Sequence, residues 1–569
     1  MITLRHGAFS NKGTKPINQD HHCVVVPDFS PSANFDAIAI VSDGISSSQV
    51  SQYASNFAAE TFVREFPLTS DVWSISRAAQ HVLRSINTEL YIKNQQSPYF
   101  ENLDKGYVCT FSAVILKGQS AVLLHCGDSS IYHIHRGEVT LCTRQHREAG
   151  EGKNTYLSNA LGIRPNLTVD ITTLTVAPND MFVLMTDGIA DTLSPKTWYA
   201  IHQHNTSSAD LGAQQIAQAA LNADCDDNVT IALLDVLSIA KEEQTPYTSN
   251  GFLPFLDTPK SNDVIDDWII QRQLYSSERS LVFLAKHKLH NHQAVLKIPA
   301  KSMHDNESFL DEMVKEEWIG ARVQHDNVLK TYKCPFTRHY FYIAMAYTPG
   351  ISLRQYRNDV GSVPLAKVRD WCTQMVSGLT ALHRQDVLHQ DIKPDNIMVD
   401  ENGKVTLVDF GATSIAGYHF SHSDVQLAIP GDLLFTAPEY FVGLWPDESS
   451  DQFSLAVVLY FLLSGEYPYN SNVAKKSNYA GLLKLRYISL LQRNVAVPMW
   501  VDETLKRACH PKASKRYPSL SEFLYDLNHP NPSYRKSLPL MEQHPVRAWK
   551  TVSGVLLVLL LAMFVVHYT

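Results

Sequence analysis

The chain has few of the patterns that mark cysteine, nucleic-acid or secretory chemistry. Its eight cysteines are scattered, at Cys23, Cys109, Cys126, Cys142, Cys225, Cys334, Cys372 and Cys509, and no CxxC pair occurs. Zinc ribbons and thioredoxin-type redox sites are thereby excluded. No cysteine precedes an arginine by six positions, which excludes thiolate-based phosphate-ester hydrolysis. A basic excess is also missing. The formal net charge is −8 and the pI about 6.3, whereas general nucleic-acid binding needs a basic footprint. The opening "MITLRHGAFSNKGTK" has no apolar core of a secretory leader, so a reducing cytoplasm is the expected compartment. No internal repeat relates the two halves.

What is present suffices for large cores. Hydrophobic residues make up 44% of 569 and aromatics 10%, which excludes global disorder and allows several domains. Residues 1–236 carry short β-type runs such as "FDAIAIVSDG", "CTFSAVILKG" and "DMFVLMTDG". Helical patterns at 49–66 and 73–93 separate them, with Val82, Leu83, Ile86 and Leu90 at helical spacing. An α+β layered sandwich is expected. Residues 237–263 read as a linker rich in Pro, Gly, Ser and Thr. From 264 to 528 strands come first and helices follow, which predicts a small sheet-rich lobe and a larger helical one.

Residues 529–547 read as a Pro-rich tether. Beyond it, "VSGVLLVLLLAMFVV" (552–566) is uninterrupted by charge, flanked by Trp549 and Tyr568. The expectation is a single membrane-spanning helix over 549–568. Arg547 and Lys550 precede the run and only His567 follows it, so the catalytic bulk is expected on the cytoplasmic face of an inner membrane. The competing expectation is a buried helix of a soluble domain.

One constellation lies in the second half. Lys297 ends "AVLKIP", and Glu316 sits in the helical "ESFLDEMVKEEWIGARVQ". Asp391, Lys393 and Asn396 follow in "HQDIKPDN", then Asp409 in "VTLVDFG" and Glu439 in "APE". Phosphoryl transfer from a nucleotide needs a cation for the phosphates, oxygen ligands for Mg²⁺ and a carboxylate to orient the attacking hydroxyl. Singly these signals are weak, since a lone DFG is more often a tight turn. In this order they resemble the eukaryotic-type Ser/Thr protein kinases, a bilobal fold, over 264–528. The resemblance implies that Lys297 contacts ATP phosphates and pairs with Glu316. It implies that Asp391 is the catalytic base, that Lys393 neutralises the transferring phosphoryl, and that Asn396 and Asp409 bind Mg²⁺. It also implies a pairing of Arg516 with Glu439.

Three departures stand out. Tyr275, Ser277 and Ser280 in "LYSSERSLVFLA" occupy the glycine positions of the phosphate-covering loop. Gln390 replaces an Arg that would meet an activation-loop phosphate. Asp432 stands in "GDLLFTAPE" where Thr is usual.

The first half carries carboxylates at the ends of apolar runs: Asp20, Asp43, Asp128, Asp187 and Asp227. Clustered at one sheet edge they would be costly without cations. Hard oxygen ligands suit Mg²⁺ or Mn²⁺, and two such ions can activate a water for in-line attack on phosphorus. "GTKPINQD", "VSDG", "CGDSS", "LSNALG", "MFVLMTDGI" and "DDNVTIALL" resemble, in order, the metal-dependent phosphatase 2C type, an αββα sandwich. The resemblance implies that Asp20, Asp43, Asp187 and Asp227 bind a dinuclear centre with the Gly44 carbonyl. Asp128 and Asp187 would form a third, weaker position. Lys15 stands where an Arg normally contacts substrate phosphate, and so loses a bidentate fork. Gln19 replaces a Glu near the metals.

His133 with His135, and His287, His290 and His292, are read as chance clusters among 24 histidines. The combined expectation is a membrane-tethered bifunctional enzyme resembling bacterial kinase/phosphatases. It would phosphorylate protein Ser/Thr, itself included at 411–424 or "TPYTS", and remove such phosphates. The alternative is an active phosphatase regulated by a nucleotide-binding pseudokinase.

Overall fold

In the computed structural model, residues 2–27, 35–149, 155–205, 208–239, 247–290, 292–332, 338–385, 387–410, 414–415, 433–442, 446–469, 481, 485–531, 549–551 and 553–554 are described. The chain forms two compact units. The first comprises Met1–Gln324, Leu329–Tyr347 and Ser414–Gln426, the second His325–Val328, Thr348–Thr413 and Leu427–Thr569.

The first unit opens with strands β1 (Ile2–Asn11), β2 (Asp20–Val25) and β3 (Ala37–Asp43), then helices α1 (Ser51–Glu65) and α2 (Ile75–Gln95). Strands β4 (Phe111–Lys117), β5 (Ser120–Cys126), β6 (Ser130–His135), β7 (Glu138–Leu141), β8 (Arg147–Ala149), β9 (Thr155–Leu157), β10 (Asp170–Thr175) and β11 (Met181–Met185) follow. Helices α3 (Asp187–Ala190), α4 (Pro195–His204) and α5 (Ala209–Asn222) lead to β12 (Val229–Ile239). Two antiparallel sheets result, ordered β1-β12-β11-β6-β7 and β10-β5-β4-β3-β2.

The inner faces of both sheets form one core. Ala39, Val41, Val114 and Leu123 pack with Phe182, Leu184, Ala232 and Leu234. The outer face of the first sheet buries Val183, Met185 and Leu233 against Trp198 of α4 and Ile216 of α5. Helix α1 covers β2 and β3 of the other sheet. The layering is therefore αββα. Strands β3, β4 and β11 are buried on both faces, which is why they read as continuous apolar runs. Ser74 caps α2 by accepting from the Arg77 N–H.

The first unit also contains the small lobe of the second half. Strands β13 (Val264–Ile265), β14 (Trp268–Ser276), β15 (Ser280–His287) and β16 (Gln293–Pro299) precede helix α6 (Glu307–Arg322) and β17 (Ile343–Ala346). The strands form one sheet in chain order. The described part of the stretch read as a linker is pinned by backbone bonds. Ser74 N–H donates to Gly251 O, Leu253 N–H to Val72 O and Phe341 N–H to Pro254 O.

The second unit holds β18 (Ile351–Ser352), α7 (Leu353–Val360), α8 (Leu365–His383), β19 (Val387–Leu388), β20 (Ile397–Val399) and β21 (Val405–Leu407). Helices α9 (Glu448–Ser464), α10 (Met499–Ala508) and α11 (Leu520–Asn528) follow among the described residues. Trp371, Met375, Leu379 and Leu382 form the buried stripe of α8, as their spacing predicts.

The expected membrane-spanning helix is not upheld, and the inner-membrane location and membrane anchor fall with it. Among the described residues no helix is long and apolar enough to cross a membrane. The most apolar of them, α9, has 17 residues and is buried from Ser450 to Leu463 in the unit's core. At about 1.5 Å per residue it is too short for a ~30 Å hydrocarbon layer. The apolar run 552–566 lies, apart from Ser553 and Gly554, outside the described residues.

Candidate active sites

The strand register gathers the acidic residues of the first half. Asp20 opens β2 and Asp43 closes β3, and the two stand directly opposite each other. Like charges so placed repel. Asp128 follows β5, Asp187 follows β11 and opens α3, and Asp227 precedes β12. Carboxylate oxygens of Asp43, Asp128 and Asp187 lie within 4.8 Å of one another. Thr186 Oγ1 donates to Asp20 Oδ2 at 2.9 Å.

Burial raises the Asp20 carboxyl to about 6, although hydrogen bonds from Asp43, Thr230 and Thr186 oppose the rise. Burial, reinforced by Asp128 and Asp227, raises Asp187 to about 7. Asp43 is pushed well above the usual range by burial and then by Asp20, Asp187 and Asp128. The buried Oδ1 atoms of Asp20 and Asp128 have no hydrogen-bond partner among the described residues. Crowded hard oxygens with unmet acceptors fit divalent cations.

Neighbouring residues shape this edge. Gly44 admits no side chain, since a Cβ there would come within 2.8 Å of Ser51. Gln19 Nε2 donates to Ile45 O, Ser48 O and Ser51 Oγ, so it ties down the loop after β3. A glutamate could not donate these bonds. Lys15 Nζ lies 3.4 Å from Asp227 Oδ2. Asn228 bonds Lys12 O, Ile17 O and Gln19 N–H, which fastens the Lys15 loop to the start of β12.

Sequence reasoning missed Arg147. Its Nε donates to Asp128 and its Nη2 to Asp187, each at 2.7 Å, and Nη1 reaches Asp191 at 3.2 Å. "TRQHREAG" carries no pattern that singles it out. His133 and His135 both bond Asp180, and that carboxylate also accepts from the Ala177 N–H.

In the small lobe, Lys297 of β16 meets Glu316 of α6, with Nζ–Oε2 at 2.7 Å. The β14–β15 turn has its own lock. Ser277 Oγ accepts from the N–H groups of Arg279 and Ser280, and donates to Ser280 O.

In the second unit, Asp391 is buried and accepts from Lys393 Nζ and Asn396 Nδ2, both at 2.7 Å. The loop is held by Asp451 of α9, which accepts from the His389 and Gln390 N–H groups and from His383. Gln390 and Asp409 both adopt left-handed backbone, with φ of 62° and 66°. Glu439 and Arg516 form a bidentate buried pair at 2.8 and 2.7 Å. Asp432 and nearly all of 411–424 lie outside the described residues.

Comparison with known proteins assigns the class of each half. A protein phosphatase 2C model matches residues 10–223, and a protein kinase domain model matches 270–546. Along the chain a phosphatase 2C match is thus followed by a protein kinase match. A probable serine/threonine-protein kinase of Clostridium acetobutylicum is 24% identical over 47% of this chain and 40% of its own length. The serine/threonine-protein kinase PrkC of Bacillus subtilis is 26% identical over 43% of this chain and 38% of its own. The chain thus spans well under half the length of these curated relatives. Among solved structures, PppA of Pseudomonas aeruginosa is 20% identical over 42% of this chain and 99% of its own, with a TM-score of 0.35.

Proposed function

We propose that the chain is a bifunctional signalling enzyme, a protein Ser/Thr kinase and a metal-dependent protein Ser/Thr phosphatase. In the phosphatase half, Asp20, Asp43, Asp187 and Asp227 would hold Mn²⁺ or Mg²⁺ with the Gly44 carbonyl, and Asp128 with Asp187 a further ion. Bound cations would supply the nucleophile and neutralise charge on the phosphoryl group. Lys15 would attract substrate phosphate as a point charge.

In the kinase half, Lys297, held by Glu316, would bind the ATP phosphates. Asn396 and Asp409 would hold Mg²⁺. Asp391 would accept the hydroxyl proton while Lys393 balances the transferring charge. The observation that carries the kinase reading is the 2.7 Å Lys297–Glu316 pair, an arrangement that phosphoryl transfer by a protein kinase requires.

A second reading, a nucleotide-binding pseudokinase that regulates the phosphatase, draws support from the turn lock. The Arg279 and Ser280 N–H groups, donors of the type that line a phosphate-covering loop, are already bonded to Ser277.

The deciding experiment uses the full chain with Asp43→Ala to silence hydrolysis, incubated with labelled ATP and Mg²⁺ or Mn²⁺. Label that appears on the chain or on a generic Ser/Thr protein, and vanishes with Asp391→Ala, establishes the kinase. Nucleotide binding without label favours the pseudokinase. The same experiment tests self-phosphorylation at 411–424 or 245–249. Asp43→Ala is expected to raise the phosphate retained on the chain, and an unchanged level counts against self-clearing.

A further inference from the structure

Helix α6 carries Glu316, and its other side is gripped by the phosphatase domain. Asp311 receives Trp73 Nε1 at 2.9 Å, Arg77 Nε at 2.9 Å and Arg77 Nη2 at 2.8 Å, with His81 Nε2 at 3.1 Å. Arg77 also reaches Glu307 at 3.1 Å and Asn250 O at 2.7 Å, and stacks over Phe252. About two turns further on, Trp318 meets Trp73 edge-on. At the C-terminal end Arg322 pairs with Glu65 of α1 at 3.2 Å. Ser70 donates to Glu317, whose carboxylate also pairs with Arg338, and Arg338 reaches Asp71 at 2.9 Å.

Glu307, Asp311, Trp318 and Arg322 recur at steps of four, seven and four residues, so they form one stripe. Glu316 stands about 140° round the helix from Asp311 at about 100° per residue. One side of α6 therefore serves Lys297 while another is held by residues of the phosphatase domain. The grip is dry as well as polar. Trp73, Trp318 and Glu317 are buried, and Asp311 is only 13% exposed. Buried charges of this kind are costly once a partner is removed. The pinned strap 248–254 adds a covalent route between the same two surfaces.

A kinase needs the Lys–Glu pair in place, and the position of the helix that bears the Glu controls it. We propose that the phosphatase domain is a built-in positioning element for the kinase. Arg77, Trp73 and His81 hold α6 in the pose that sets Glu316 on Lys297, independently of phosphate hydrolysis. Arg77 is then a positioning residue for phosphoryl transfer although it belongs to the other enzyme. The proposal rests on the kinase reading, and its test separates the two.

The test compares Asp391-dependent label transfer in full chains carrying Asp43→Ala alone, or together with Arg77→Ala, Arg77→Lys or Glu307→Ala. Hydrolysis of p-nitrophenyl phosphate is measured for the same substitutions with Asp43 intact. Arg77→Ala is expected to lower label transfer about tenfold or more while hydrolysis stays within about twofold. Arg77→Lys is expected to restore much of the loss, and hydrogen exchange across 307–322 to quicken in Arg77→Ala only. Should Arg77→Ala abolish hydrolysis as well, the half-exposed Glu307 decides, a fall of about twofold or more with hydrolysis intact supporting the grip. Parent-level labelling in Arg77→Ala and Glu307→Ala overturns it. A parent chain that takes no label overturns the kinase reading instead.

Discussion

Arg147 bridges Asp128 and Asp187, donating to each at 2.7 Å, so a cation belonging to the chain already neutralises one side of the acidic edge. It stands between the two carboxylates proposed to hold the further metal ion. Arg147→Ala is therefore expected to weaken the metal-free fold and to make that position more attractive to cations. The metal-free melting temperature should fall by several degrees, for about 1–2 kcal/mol. The Mn²⁺ concentration giving half-maximal thermal stabilisation should also fall. A melting series against Mn²⁺ reads both, and an unchanged midpoint concentration would refute the competition.

The acidic cluster makes stability depend on pH in a definite sense. Asp20 is raised to about 6 and Asp187 to about 7, with burial the leading cause in both, and Asp43 is raised further. A carboxyl with a raised folded pKa contributes stability that is complete below its unfolded value and lost as pH rises through the folded value. In chelator, urea midpoints should thus fall between pH 5 and pH 8. Saturating Mn²⁺ should flatten that slope, and Asp43→Asn should reduce it while abolishing Mn²⁺-dependent hydrolysis. A slope of opposite sign in chelator would show that these groups do not share a buried edge.

Ser277 stands where the kinase resemblance expects a glycine, and it consumes donors. Its Oγ takes the N–H groups of Arg279 and Ser280. Ser277→Gly removes that acceptor and is expected to lower the KM for ATP several-fold, on the order of one hydrogen bond of about 1 kcal/mol. Steady-state kinetics in the Asp43→Ala background measure it. A raised KM would mean that the lock shapes the turn for nucleotide rather than obstructing it.

Arg516 and Glu439 are both buried, and the pair is bidentate. Burial disfavours the Glu439 charge, yet hydrogen bonds and charge from Arg516 hold its pKa below the usual range. Arg516→Ala leaves that carboxylate buried without its partner, at a cost of about 3–5 kcal/mol. Denaturant unfolding should show a destabilised transition that also abolishes label transfer. The proposed phosphatase activity, whose residues lie in the other compact unit, should persist.

Much of the fold is legible locally. Apolar runs such as "FDAIAIVSDG" and "MFVLM" are strands buried on both faces, and the Val82–Leu90 spacing is a helix. The order of the first half's acidic landmarks is visible too, because Asp20, Asp43, Asp187 and Asp227 each stand at or next to the end of a strand. Arg147 is not legible, since a cation's partners lie 19 and 40 residues away and no local period announces them. The C-terminal apolar run shows the opposite failure. A run of apolar residues alone does not distinguish a membrane span from a core helix such as α9, whose stretch from Phe453 to Leu463 is apolar apart from Ser454 and is buried throughout.

By itself the sequence determined which elements form, in what order, and which residue types stand at their ends, because helix and strand periods act over a few residues. Only the tertiary structure decided that Asp20 and Asp43 face each other, that Gln19 holds a loop, and that the small lobe packs into one unit with the phosphatase sandwich. Those outcomes depend on register and on contacts such as Arg77–Asp311, 234 residues apart in the chain. They arise when buried charges must find partners wherever the fold brings them.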